Sequence, residues 1–293
     1  SWVHECMCRE PRGHNAMLGS ILTEAVNEGS AFGVLYLHAN GLFDGCGDST
    51  FGTAAAAVET GLVEAVEPVT HLTMDTVMGP LSVEVEIKDG VVKEVRYQNL
   101  PAYHIASIEI DIDGRGRTPV DISACGGQYF PQFDAGKLGI DVNKANQAGI
   151  KEFGRQVTKA LRALPPVNDP ETGNSVQMGQ NNTNVISLFS KQADEDSYRI
   201  ANTVAPDFMG RTPGGLPTGA LMALLHNRGE YDPKNTFRNM SPVGTVFSGT
   251  GKPEVLTNGT PALATLVGTK SWLMGIHHFV IDPDDPFPNG FIL

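Results

Sequence analysis

The chemistry available to this chain is concentrated at two glycine-flanked turns. Gly45-Cys46-Gly47-Asp48-Ser49-Thr50 carries a thiol and a carboxylate two residues apart. Arg211-Thr212-Pro213-Gly214-Gly215-Leu216-Pro217-Thr218 carries neither. Each turn leads into a helix-prone apolar run. Thr53–Thr60 is rich in alanine and stops at Gly61, and Ala220–Arg228 stops at Gly229. Gly47, Thr50 and Gly61 repeat as Gly215, Thr218 and Gly229, a constant offset of 168, and each turn opens 15 residues before its stopping glycine. Gly79 and Gly244 each open a later strand-like run. This self-similarity points to a duplicated fold.

Unpaired backbone N–H groups and the helix dipole make a helix start an anion site, and glycine lets a ligand approach the backbone. If the two turns meet about a pseudo-twofold, a carboxylate can lie between two helix starts. Cys46 just ahead of such a start, with Ser49 or Thr50 as N-cap, is expected to have its thiol pKa lowered. The resulting thiolate could remove the α-proton of a bound acid. The competing role for Cys46 is small-residue core packing.

The elements that must position these turns read as strands and short helices. Phe32–Leu37 is apolar and β-prone, and Ile108–Ile112 alternates. Leu81–Ile87 and Val91–Tyr97 alternate on either side of Lys88-Asp89-Gly90, which predicts a hairpin. Ile150, Phe153, Val157, Leu161 and Leu164 predict a helix over 142–164, ended by Pro165-Pro166. Residues 165–182 are rich in Pro, Asn, Gly and Gln and read as the crossover, with a strand expected at 184–189. The expected halves are 1–165, carrying the Cys46 turn, and 166–293, carrying the Gly214-Gly215 turn. The tail 260–293 is able to pack back on the first half.

With 293 residues, 41% hydrophobic and 18% charged, the chain is globular. Its net charge of −12 argues against nucleic acid or an anionic membrane as partner. No apolar run suggests a membrane span, and the start has no basic or apolar leader pattern, so a cytoplasmic protein without signal peptide is expected. Four cysteines do not make a disulfide scaffold. Cys6-x-Cys8 lacks a second pair with zinc spacing, so no metal is expected, and Cys6 and Cys8 read as surface or edge thiols. Cys125 reads as buried packing. His277-His278 reads as part of a strand, His226 as a helix-end residue, and Arg12 and His14 as structural partners.

Several blocks together resemble the proline racemase family nearly end to end. Glu10-Pro11-Arg12-Gly13-His14-Asn15-Ala16-Met17 is similar to its N-terminal signature. Gly45–Thr50 is similar to the turn that holds its first catalytic cysteine, and Arg211–Ala220 to the turn that holds its second. Asp121-Ile122 with Gly126-Gly127 and Phe130, Gly244–Gly249, and the tail Phe279–Phe291 complete the resemblance. It implies a fold of the diaminopimelate-epimerase type, α/β, with two halves each wrapping a sheet around a central helix. It also implies cofactor-independent chemistry on a small imino or amino acid, and a homodimer. The carboxylate is expected on the turns at Gly47, Ser49, Gly215 and Leu216, whose N–H groups also oppose charge growing in the transition state.

The departures sharpen this expectation. Gly214 stands where the resembled family has its second cysteine, so no side chain can deliver a proton there. Asp48 stands where it has histidine and Gly210 where it has aspartate. Asp48 is expected to take over as counter-ion for the substrate ammonium, with Asp207 a second candidate. The family also carries a further N-terminal segment, without which a sheet edge is expected to lie open unless another element covers it. Cys46 without a partner resembles the trans-3-hydroxyproline dehydratases, which expel a hydroxyl after α-proton removal. The expected function is therefore such a dehydratase, with Cys46 catalytic and Gly47, Asp48, Ser49, Gly214, Gly215 and Leu216 binding substrate. A proline or 4-hydroxyproline isomerase with one thiol, and an inactive paralogue or amino-acid-binding protein, are the alternatives.

Overall fold

The computed structural model describes residues 2–39, 41–180, 183, 185–193, 197–204 and 208–292. Contacts gather into two compact units, residues 1–97 with 268–293, and residues 98–267.

The first unit contains α1 (Trp2–Cys8), β1 (Leu18–Thr23), β2 (Phe32–His38), β3 (Gly41–Phe43), α2 (Gly47–Glu59), β4 (Val69–Thr76), β5 (Gly79–Lys88) and β6 (Val91–Gln98). Its strands run in the order β1-β2-β4-β5-β6, with β3 paired to β2. Only the β2–β4 neighbours are parallel. The β5–β6 hairpin turns at Asp89 (φ 56°) and Gly90 (φ 71°), the left-handed pair that a two-residue hairpin demands. Alanines 54–57 give α2 the best helix propensity and a slim profile, and the helix lies against β1 and β5. Gly61 ends it at φ 75°, its N–H donating to Val58 O at 3.1 Å.

The second unit contains β7 (Ala102–Ile112), β8 (Gly116–Cys125), β9 (Gln128–Asp134), α3 (Gln147–Arg162), β10 (Val167–Asn168), β11 (Ser175–Val176), β12 (Ile186–Lys191), β13 (Tyr198–Val204), β14 (Phe208–Met209), α4 (Gly215–Asn227), β15 (Phe237–Met240), β16 (Val246–Val255) and β17 (Pro261–Thr269). The order β17-β16-β15-β13-β12-β9-β8-β7 closes into a ring where Leu263 of β17 pairs with Ala102 of β7. Helix α4 packs against β7, β8, β9 and β16 of that ring. Its Ala220, Leu221, Met222, Leu224 and Leu225 are all at 0% exposure, the mark of a helix apolar on every side. Each large side chain buried there stabilises the unit by about 1.5–3 kcal/mol. Helix α3 is amphipathic and covers β7, β12 and β13 with Ile150, Phe153, Val157 and Leu161.

Both central helices are 13 residues long and start 168 residues apart, as the glycine pattern predicts. Each runs back to its glycine-flanked turn, several residues before the apolar stretches at Thr53 and Ala220. Three expectations are corrected. Helix α3 starts at Gln147 rather than near 142, because the Asn143 side chain accepts from the N–H groups of Ala145 and Asn146 and sets a short 3-10 turn ahead of it. Cys6 and Cys8 are buried, since α1 lies on β1 and β2. His277-His278 lies in irregular, exposed chain rather than a strand. The division expected at 165 falls inside the second unit, between α3 and β10. The ring needs β7, β8 and β9 alongside β12, and that pairing reaches across the Pro-rich stretch.

Candidate active site

Cys46 is itself the N-cap of α2, in extended conformation at φ −147° and ψ 108°. Its sulfur accepts from the Ser49 N–H at 3.4 Å, so the cap expected from Ser49 or Thr50 is supplied by the thiol. Its carbonyl accepts twice from Thr50, from the N–H at 2.9 Å and from Oγ1 at 2.9 Å. The buried Tyr36 hydroxyl lies 2.6 Å from Thr50 Oγ1. Strand β2 therefore fixes the cap residue through one hydroxyl relay. Thr53 Oγ1 ties the next turn of α2 to Ser20 Oγ of β1 at 2.8 Å.

The thiol is half-buried, and it is the only one of the four cysteines not fully buried. Burial, then the charge of Asp48, push its pKa up to about 11, while the Ser49 N–H pulls the other way. The helix start does not win, so the lowered pKa expected from the sequence is overturned. A resting Cys46 is protonated at neutral pH. Asp48 occupies the first turn of α2 and is half-buried.

The second turn is held differently. Gly214 caps α4 at φ 74° and ψ 136°, a backbone state that suits glycine alone. Three buried asparagines grip this turn. Asn202 Nδ2 donates to Pro213 O at 2.7 Å, Asn99 Nδ2 to Gly215 O at 3.3 Å, and Asn239 Nδ2 to Thr218 Oγ1 at 3.0 Å. No spacing in the sequence marks these three, which come from β13, the segment before β7, and β15. Gly126 (φ 60°) gives way to Leu216, whose Cδ2 would stand 2.8 Å from a Cβ there. Gly219 lets Thr265, Asn99 and Cys125 close on the helix, at 2.9–3.0 Å from its missing Cβ. In the first turn of α4, Pro217 has no N–H and the Thr218 N–H donates to Gly214 O at 3.1 Å.

The remaining expected residues sort clearly. Arg12 pairs with Asp285 at 3.0 Å, donates to the carbonyls of Phe287 and Pro288, and contacts Cys6 Sγ at 3.2 Å. His14 Nδ1 accepts from Ala16 N–H at 3.2 Å. Both are structural. His226 ends α4 against Tyr231 O, and Cys125 is at 0% exposure. Gly210 donates its N–H to Asn202 O at 2.8 Å. Asp207 lies outside the described residues. Among the described residues no group of three His, Cys, Asp or Glu converges to hold a metal ion, and no helix is long and apolar enough to cross a membrane.

Comparison with known proteins agrees with this architecture. The family model described as proline racemase matches residues 1–292. A 4-hydroxyproline 2-epimerase of Streptosporangium roseum is 32% identical over 99% of this chain and 86% of its own. A proline racemase of Clostridioides difficile is 31% identical over 100% of this chain and 86% of its own. A trans-3-hydroxy-L-proline dehydratase of Burkholderia ambifaria is 29% identical over 99% and 86%. Among solved structures, a probable proline racemase from Agrobacterium radiobacter with bound carbonate superposes with a TM-score of 0.85 at 25% identity, covering 100% of this chain and 84% of that one. A sheet wrapped around a central helix, a cysteine capping the first such helix and a match over almost every residue lead to one conclusion: the chain belongs to the proline racemase family.

Proposed function

We propose that this protein removes the α-proton of proline or a hydroxyproline with one thiol, Cys46, and that its preferred outcome is dehydration of a 3-hydroxyproline. The observation that carries this reading is the asymmetry of the two helix caps. One is a partly buried cysteine accepting an N–H, and its counterpart 168 residues on is a glycine. Two-sided proton transfer needs a group on each face of the α-carbon. A glycine supplies none, whereas elimination needs only the first removal. The relatives named racemase, epimerase and dehydratase support the substrate class.

In this scheme the N–H groups of Gly47, Gly215 and Leu216 are the candidate donors to the substrate carboxylate, with Gly214 allowing close approach and the Ser49 N–H staying on the Cys46 sulfur. The substrate ammonium pairs with Asp48, which cancels the second of the two effects that raise the thiol pKa, burial being the first, and the thiol proton passes to solvent. The thiolate then takes the α-proton and becomes a thiol again. The electrons of the C–H bond form the Cα–C3 double bond, and the 3-hydroxyl leaves as water with a proton from solvent. The enamine tautomerises to a cyclic imine. The donors on the carboxylate stabilise the charge that builds there as the proton leaves.

The isomerase reading is favoured by the relatives named epimerase and racemase, at 32% and 31% identity, and would need water as the second acid. Incubation of proline and its 3- and 4-hydroxy isomers in D₂O separates the two. Dehydration gives loss of water by mass, and isomerisation gives α-deuterated amino acid of the opposite configuration. Cys46→Ala should lower either rate by about 10²- to 10⁴-fold. An unchanged rate in Cys46→Ala, or no turnover of any of these acids, would overturn the proposal and favour an inactive or amino-acid-binding paralogue.

A further inference from the structure

We propose that Pro217 excludes a side chain from position 214 and so commits the start of α4 to hold an anion without donating a proton. The inference rests on the one-thiol reading and names the residue that enforces it. A Cβ built on Gly214 lies 3.0 Å from both Cδ and Cγ of Pro217, tighter than nearly all real contacts of that kind. The pyrrolidine ring is tied to the backbone at both ends and cannot swing aside as a flexible side chain does. On the other flank the Cβ meets Asn202 Nδ2 at 3.5 Å.

Asn202 cannot retreat either. It is 6% exposed, donates to Pro213 O at 2.7 Å and accepts from Ser187 Oγ at 2.7 Å. Gly214 also has a φ of 74°, which a residue with a Cβ adopts only under strain. Position 214 is thus closed by two features, the positive φ and the Pro217 ring, while Asn202 stands at ordinary van der Waals distance. Proline is tolerated there because the N–H it removes, in the first turn of α4, has no intrahelical partner. A thiol cannot be added to this face by one substitution, and proton transfer stays one-sided.

The test is a double-mutant cycle of Gly214→Cys, Pro217→Gly and the combined variant, with wild type and Cys46→Ala as references. Stability is read by urea unfolding, and α-proton exchange is read in D₂O with each enantiomer of proline separately. Gly214→Cys should unfold at lower urea and show no gain on the enantiomer that wild type exchanges more slowly. The combined variant should be more stable than the sum of the single losses predicts, by roughly tenfold in the unfolding constant. It should also gain exchange on that slower enantiomer. Additive losses, or a gain on that enantiomer by Gly214→Cys alone, would overturn the inference. If Gly214→Cys does not fold, Gly214→Ala takes its place in the stability cycle, with the same two outcomes. A rate independent of Cys46 would refute the proposed function instead, and the stability cycle would still decide the role of Pro217.

Discussion

The charge of Asp48 can be read directly through the reactivity of Cys46. With its pKa pushed up to about 11, the thiol is ionised in about one molecule in a thousand at pH 8. Burial is the larger cause and Asp48 the second. Asp48→Asn removes the second and leaves the first. A like charge removed at this range is worth about one pKa unit, so the thiolate population at pH 8 should rise about tenfold. Alkylation by iodoacetamide, a neutral reagent, reports that population without electrostatic bias. Cys6, Cys8 and Cys125 are buried, so labelling of the native protein is specific to Cys46, and mass mapping of the peptide confirms it. The rate should climb with pH toward about 11 in wild type, and the whole profile should move to lower pH in Asp48→Asn. If the variant folds and its profile stays in place or moves upward, Asp48 does not oppose the thiolate. The ammonium-driven ionisation proposed above then loses its basis.

Other expectations test the scaffold. Asn202→Ala leaves the Pro213 carbonyl without its buried donor and should cost about 1–3 kcal/mol in urea unfolding. Gly126→Ala places a methyl 2.8 Å from Leu216 Cδ2 at a φ of 60°, and should raise KM for the amino acid more than it lowers kcat, because Leu216 is a proposed carboxylate donor. Asp75 accepts from the N–H groups of Val26 and Asn27, from Asn27 Nδ2 and from Ser30 Oγ, which holds its carboxyl well below the usual range. Its stabilisation is present above the unfolded-state pKa near 4 and is lost as pH falls below that, so Asp75→Asn should flatten the acid limb of a stability–pH curve. Arg12→Ala should raise amide exchange over residues 285–291, the segment its guanidinium anchors.

What could be read ahead of the structure follows from the range of the interaction involved. The hairpin at Lys88-Asp89-Gly90 and the ends of α2 and α4 depend on a few adjacent residues with special backbone angles, and the sequence carries those residues openly. The closed ring depends on Leu263 meeting Ala102, a pairing with no local signature. Asn99, Asn202 and Asn239 are ordinary asparagines until the ring brings them around one helix start. Cys6 and Cys8 misled for a related reason: two thiols near a chain start look peripheral until α1 is laid over β1 and β2. The family blocks located the candidate turns, and the unit boundaries at 97 and 267 followed from strand pairing that composition does not report.

The sign of the Cys46 shift shows why position at a helix start is not enough to predict reactivity. The dipole and the Ser49 N–H act on the sulfur over one turn, and both favour the thiolate. Against them stand the removal of the sulfur from water and a carboxylate two residues away, and these opposing effects are larger. A protonated resting thiol is therefore the consequence of the same segment that carries the proposed ammonium site. On the proposed reading this arrangement orders events: a cation arriving beside Asp48 raises the thiolate fraction that acts as base. A thiol so held resists oxidation while the site is vacant, because the reactive thiolate is scarce. The two helix starts of this duplicated fold thus differ at the cap: one carries the Cys46 thiol beside Asp48, and the other carries Gly214, which offers backbone alone.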